Sequence, residues 1–154
     1  TFAELCKEAE ETDYITSRID VNNKCFLAPE NMTEAIKSYC NNNDLIIPDT
    51  AGEIAAVVYK SLADSYADTV MQIEKNLDIT YDAIYVIGGG ANAGYLNQLT
   101  ADSTGKTVVA GPAEATAIGN IMAQMIADSV FKNLKEARAC VRDSFDIKRF
   151  EQKR

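Results

Sequence analysis

Apolar residues recur at helical spacing along most of the chain and at strand spacing in two short stretches. Residues 2–11 place Phe2, Leu5, Cys6 and Ala9 at i, i+3, i+4 and i+7, which predicts one face of a short helix. Between residues 12 and 28 no period holds. Ile19 and Val21 alternate with polar neighbours and Cys25-Phe26-Leu27 leads to Pro29, so an extended, partly buried connection is expected. Asn31-Met-Thr-Glu34 has capping-box spacing, and Ala35, Ile36, Tyr39 and Cys40 give a second helical stripe that Asn41-Asn-Asn-Asp44 stops. Leu45-Ile-Ile-Pro48 is an apolar linker. Thr50-Ala-Gly-Glu53 is a second capping box, and behind it Ile54, Val58, Leu62, Tyr66, Val70, Ile73 and Leu77 recur at about 3.6 residues. This predicts the longest helix, near 51–76, with Ala55, Ala56, Ala63 and Ala67 small enough to let it lie close to a sheet.

The second half changes period. Residues 83–87 form an apolar run of strand length, followed at once by Gly88-Gly-Gly90. Asn92 is the expected N-cap of a helix with Tyr95, Leu96 and Leu99 on one face, closed by Gly105 and Lys106. Residues 107–110 read as a second strand. Gly111-Pro112-Ala-Glu114 then opens another helix, with Pro112 at the first helical position and Glu114 near its positive end. Ala115, Gly119 and Ala123 make a flat strip along it. A last amphipathic helix is expected near 134–144, on Leu134, Ala137, Val141 and Phe145. The order predicts an α/β fold, its two strands parallel through a helical crossover.

At 154 residues the chain is one domain or one piece of a larger one. Hydrophobic content of 47% and charged content of 25% exclude wholesale disorder and a rod-like coiled coil. A net charge of −8 opposes phosphate backbones, so no nucleic-acid partner is expected. The charge is uneven: five acids face Lys7 alone over residues 1–13, whereas residues 132–154 carry eight bases and four acids. That basic end reads as a solvated helix and tail.

Histidine is absent, which removes Ser-His-Asp and Cys-His nucleophilic catalysis and HExxH metal sites. Cys6, Cys25, Cys40 and Cys140 stand far apart without a CxxC pair, so neither a thiolate zinc site nor a disulfide framework is expected. Reduced, mostly buried thiols in a cytoplasmic protein follow. Residues 113–130 are interrupted by Glu114, Asn120, Gln124 and Asp128 and do not read as a membrane span. The chain opens on Thr1, within a helical pattern, which reads as a fragment.

Strand, three glycines, helix is the informative constellation. Glycine permits positive φ and lets backbone N–H groups approach a ligand. The next helix aims unpaired N–H groups and a positive dipole end at the same spot, an arrangement that suits phosphate. The same glycines also serve a plain tight turn. Gly88-x-Gly90-x-x-Ala93 satisfies the dinucleotide fingerprint, with Glu114 in the region of its ribose-binding acid. Glu114 fits better as a first-turn carboxylate, because Gly111-Pro112 separates it from the second strand. No Walker lysine follows the glycines, so this is no P-loop.

Ile87-Gly-Gly-Gly90, Leu96-Asn-Gln-Leu-Thr-Ala-Asp102 with Gly105, Val108-Val-Ala-Gly-Pro-Ala-Glu-Ala115 and Ile118-Gly-Asn120 resemble the C-terminal part of FGGY-type sugar kinases. The Ala110-Gly-Pro-x-Glu-Ala string, with Phe26-Leu-Ala-Pro-Glu-Asn-Met32 and Gly52-Glu-Ile upstream, is most similar to the rhamnulokinase subgroup. The resemblance runs from about residue 14 to residue 127. It implies part of an actin-like (ribonuclease H-like) ATPase domain, a short mostly parallel sheet flanked by helices. It also implies transfer of the γ-phosphoryl of ATP, with Mg2+, to a ketose hydroxyl, here O1 of L-rhamnulose.

By the resemblance, Gly88, Gly89 and Gly90 contact the nucleotide, Gly89 most directly. The family often has Asn at the position of Ala93, whereas this chain has Asn92 one place earlier. Asn92 is therefore a candidate nucleotide contact as well as a helix cap. The family's Asp-x-Gly-Thr phosphate loop and catalytic Asp have no match here, and Asp49-Thr50-Ala-Gly52 is a helix start. The resemblance thus implies the C-terminal segment of the nucleotide-side domain, with the N-terminal sugar domain and the metal ligands outside it. No catalytic or metal-binding residue is assigned, and no turnover is expected of the segment alone. Truncation would expose an apolar patch prone to self-association. A dinucleotide-binding oxidoreductase domain and a non-catalytic interaction module are the competing readings.

Overall fold

Capping and periodicity set most of the elements. The computed structural model describes residues 1–12 and 14–153, leaving aside the Phe2 side chain. Among the described residues six α-helices and three strands follow in the order α1 (Phe2–Glu10), α2 (Met32–Asn42), α3 (Ala51–Leu77), β1 (Ala83–Val86), α4 (Gly94–Thr104), β2 (Thr107–Ala110), α5 (Ala115–Ala127), α6 (Leu134–Ser144) and β3 (Lys148–Phe150). Short 3-10 turns occupy Lys24–Phe26 and Gly88–Asn92. The Thr50 box forms as read: Thr50 Oγ1 accepts from Glu53 N at 3.2 Å, and Glu53 Oε2 accepts from Thr50 N at 3.1 Å. Asn31 caps α2 through Glu34 N at 3.3 Å.

The expected parallel pair is present, with Ala83 opposite Thr107 and Val86 opposite Ala110. A third strand, β3, joins β2 antiparallel, with Val108 opposite Phe150. The sheet order is β1-β2-β3, so β2 is central. The basic tail is therefore not simply solvated. Beyond β3, Thr107 Oγ1 and Gln98 Nε2 each donate to Glu151 at 2.8 Å, and Lys153 N donates to Asp102 Oδ1 at 2.7 Å.

The core differs from the expected stripe. Ala55 and Ala56 on α3 meet Ala9 of α1, with Tyr59 and Tyr95 packed around them, so these two small residues admit a helix and not the sheet. A second cluster joins Ile15, Ile19, Ile36, Cys40 and Val57. It forms because residues 15–20 run extended, with Ile15, Ser17 and Ile19 turned inward and Thr16, Arg18 and Asp20 outward. Cys40 is buried, but Cys25 and Cys140 are exposed, so the thiols are not mostly inside; all four are free. Among the described residues no helix is long and apolar enough to cross a membrane.

A polar joint ties the end of α3 to the sheet. Glu74 Oε1 lies 2.6 Å from Lys106 Nζ and accepts from Tyr81 N at 2.8 Å, while Lys106 Nζ donates to Tyr81 O at 2.8 Å. Lys106 first, then the Tyr81 amide, holds the Glu74 carboxyl below its ordinary 4.5. A carboxylate with a depressed folded-state pKa stabilises above its unfolded value and loses that contribution as pH falls through the folded one. Glu74→Gln is expected to lower the melting temperature at pH 7. That gap should shrink as the pH is taken below 4.5 towards the folded-state pKa; a gap constant with pH would remove the ion pair as its cause.

Candidate functional site

Two loops meet where β1 and β2 end. The Gly111 amide donates to Val86 O at 2.9 Å, and the Gly88 amide donates to Pro112 O at 3.4 Å. The carboxyl ends of neighbouring parallel strands are where α/β sheets admit ligands, because the chain there turns away into helices on either side. Gly88 (φ +76) and Gly111 (φ +118) hold backbone conformations that side chains resist.

The glycines of the triplet serve different ends. Gly88 is required by its φ. At Gly90 a Cβ would make an ordinary van der Waals contact, 3.5 Å from Val86 Cγ1, so packing does not require glycine there. At Gly89 a Cβ would meet nothing within 4 Å, and no positive φ demands glycine there. Neither packing nor conformation explains Gly89. The N–H of a first-turn residue precedes any acceptor within its own helix, so the backbone at Gly89 is open to an outside partner.

The expected cap is displaced. The three glycines do not lead straight into α4 but wind through the 3-10 turn, and α4 begins at Gly94 with Ala93 as its cap residue and no side-chain cap bond. Asn92 is exposed at the end of the turn and caps nothing in α4. The cap role fails because the extra turn carries Asn92 one residue too early. Pro112 likewise lies outside its helix: the Gly111–Pro112 peptide is cis and α5 starts at Ala115. Glu114 is the exposed residue before α5 and makes no side-chain cap bond, so it stands neither on β2 nor in a first turn. The Ala115-Gly119-Ala123 strip is not used for close packing, since a Cβ at Gly119 would meet nothing within 4 Å.

Two cavities flank the turn. One of about 610 Å³ is lined by Tyr85, Ile87, Pro112, Ile118, Arg138 and Arg142. The other, of about 480 Å³, shares Tyr85 and Ile87 with it and is further lined by Val86, Gly90, Leu96 and Asn97 among others. A third cavity, of about 520 Å³, reaches from Asn92 and Gly94 to Cys6 and Lys7 of α1. The two arginines escaped the sequence reading, although their spacing of four on α6 sets them on one face. Asn97 escaped it too. It is 2% exposed, and its Nδ2 donates to Gly90 O at 3.3 Å and Ala91 O at 3.2 Å. Among the described residues no three Cys, Asp or Glu side chains converge, so these residues build no metal cage. The turn can offer backbone N–H groups and a helix end to an anion, without a nucleophile or a base.

Residues 2–127 match the FGGY family of carbohydrate kinases, C-terminal domain. A rhamnulokinase from Bacillus subtilis (strain 168) is 46% identical over 153 residues, 99% of this chain and 32% of that protein. One from Oceanobacillus iheyensis is 45% identical over 146 residues, 95% of this chain and 31% of that protein. One from Halalkalibacterium halodurans is 43% identical over 150 residues, 97% of this chain and 32% of that protein. The chain spans about a third of the length of these curated relatives. Neither the oxidoreductase nor the interaction-module reading is favoured by these matches. The chain belongs to the FGGY family of carbohydrate kinases, whose C-terminal domain has the actin-like ATPase fold.

Proposed function

We propose that residues 1–154 are the C-terminal segment of the nucleotide-side domain of an ATP-dependent ketose kinase, with Gly88, Gly89, Gly90 and Asn92 contacting the nucleotide. The open space over Gly89 carries the assignment of the site. Relatives called rhamnulokinase favour a ketose, L-rhamnulose, as acceptor and its O1 as the attacking hydroxyl. Phosphoryl transfer needs a base at that hydroxyl, a phosphate clamp and a metal to neutralise developing charge. We assign all three, Mg2+ ligands included, to parts of the kinase beyond these residues, so the chain alone does not turn over.

The outer surface supports a segment in need of a cover. β1 is an edge strand, with Tyr85 73% and Ile87 62% exposed, and α5 buries none of its residues. Exposed apolar surface of this kind marks an interface. In the whole kinase the rest of the polypeptide covers it; in the isolated chain it is the surface through which copies associate.

Titration with ADP, read by amide chemical shifts, is expected to move Gly88–Asn92 and the adjoining 111–114 loop. Gly89→Val should fold with stability within about 0.5 kcal/mol of wild type, because its side chain enters open space. It should nevertheless bind ADP at least about tenfold more weakly, the loss of about 1.4 kcal/mol of contact. Shifts confined to other regions, or equal affinity in the valine variant, would move the site elsewhere.

A further inference from the structure

A buried amide directly beneath the glycine turn needs a reason. Asn97 is the fourth residue of α4, on the side of the buried Thr100 and Ala101, where an apolar side chain would serve packing alone. Burying an amide is costly unless its donors are used. Here Nδ2 spans two consecutive carbonyls, Gly90 O at 3.3 Å and Ala91 O at 3.2 Å, and Gly90 O also accepts from Ala93 N at 3.1 Å. Peptide units are rigid plates, so pinning the carbonyls of 90 and 91 fixes the planes of both units and the axis of the 3-10 turn. Gly89, at the other end of that turn, is thereby held with its open face outward.

We infer that Asn97 is a positioning residue for nucleotide binding: it does not touch the nucleotide but holds the Gly88–Asn92 turn in its binding geometry. The inference rests on the nucleotide reading of the turn given above. An aspartate at 97 has nearly the same shape but, when ionised, only accepts hydrogen bonds, so it sets a carboxylate against two carbonyls. Protonated, it recovers one donor.

The test uses the 154-residue chain and ADP as the probe. Asn97→Asp is expected to weaken ADP binding about tenfold to a hundredfold at neutral pH, as loss of a buried hydrogen-bonded donor implies. Relative to wild type at each pH, affinity should recover as the new carboxyl is protonated. Asn97→Ala, which brings no charge, should show the same loss without the recovery, and it serves where the aspartate variant does not fold. Ser61→Ala is the control. Its hydroxyl is equally buried, donating to Val57 O at 2.6 Å and accepting from Ile19 N at 3.0 Å, but both partners lie in the cluster around Ile15, away from the glycine turn. It should lower stability and leave the ADP dissociation constant unchanged. Wild-type binding at the turn with both Asn97 variants binding equally well overturns the inference alone. No ADP-induced shift at the wild-type turn overturns the nucleotide reading and the inference with it.

Discussion

Gly111→Val is expected to unfold at a markedly lower denaturant concentration than wild type. Gly111 holds φ +118, a region that β-branched residues in particular avoid. A Cβ there would also stand 3.1 Å from Asp146 O and 3.7 Å from Ile147 Cα, both backbone atoms of the segment leading into β3. Strained backbone conformation costs about 1–3 kcal/mol. Overpacking against atoms that cannot rotate away costs about the same again. The two overlap, so a loss of about 2–4 kcal/mol is expected, read as a lower midpoint with an unchanged slope. The damage should reach the candidate site, because the same loop supplies Pro112 O to the Gly88 amide and Gly111 N to Val86 O. Gly119→Ala gives the contrast. It lies in α5 with no atom near its added Cβ, and replacing a mid-helix glycine should stabilise by about 0.5–1 kcal/mol. Equal midpoints for Gly111→Val and wild type would mean that the loop is free to rebuild.

That contrast also marks where sequence was readable. Capping chemistry is local, so the starts of α2 and α3 could be placed from Asn31 and Thr50 with their partners three residues on. The parallel pair followed from two apolar runs separated by a helix. What failed depends on distant atoms. Lys148-Arg149-Phe150 carries no strand pattern, and it becomes a strand because β2 presents a free edge to it. Asn92 looked like a cap because its type is right, but the 3-10 turn adds a residue between it and α4. Pro112 at a helix start is favourable in isolation, yet the loop that donates to Val86 and accepts from Gly88 needs those residues outside the helix. The glycine triplet was legible as a candidate site; that Gly88 is required by its φ whereas Gly89 has open space beside it was not, since φ and neighbouring atoms decide it. Asn97 was hidden in a stripe read for its apolar members.

Ile15→Ala should carry the other large loss, and it separates stability from binding. Ile15 is 2% exposed in the cluster with Ile19, Ile36, Cys40 and Val57. The segment that carries it is held on both sides. Ser17 Oγ donates to Ile46 O at 2.7 Å, and Ile19 N donates to Ser61 Oγ at 3.0 Å. Anchored in this way, the backbone cannot collapse into the hole, which puts the cost high in the range of about 2–5 kcal/mol for such truncations. Set against a total stability of about 5–15 kcal/mol, this is enough to populate unfolded chains. Leu27→Ala, at a side chain 87% exposed, should change stability by no more than about 0.5 kcal/mol. The cluster packs around the first half of α3, whereas the glycine turn is fixed by α4 and the 111–114 loop. The folded fraction of Ile15→Ala should therefore bind ADP with wild-type affinity. A loss under about 1 kcal/mol would mean that residues 14–20 close around the gap, and a weakened affinity at full folding would mean that the α3 core sets the shape of the turn.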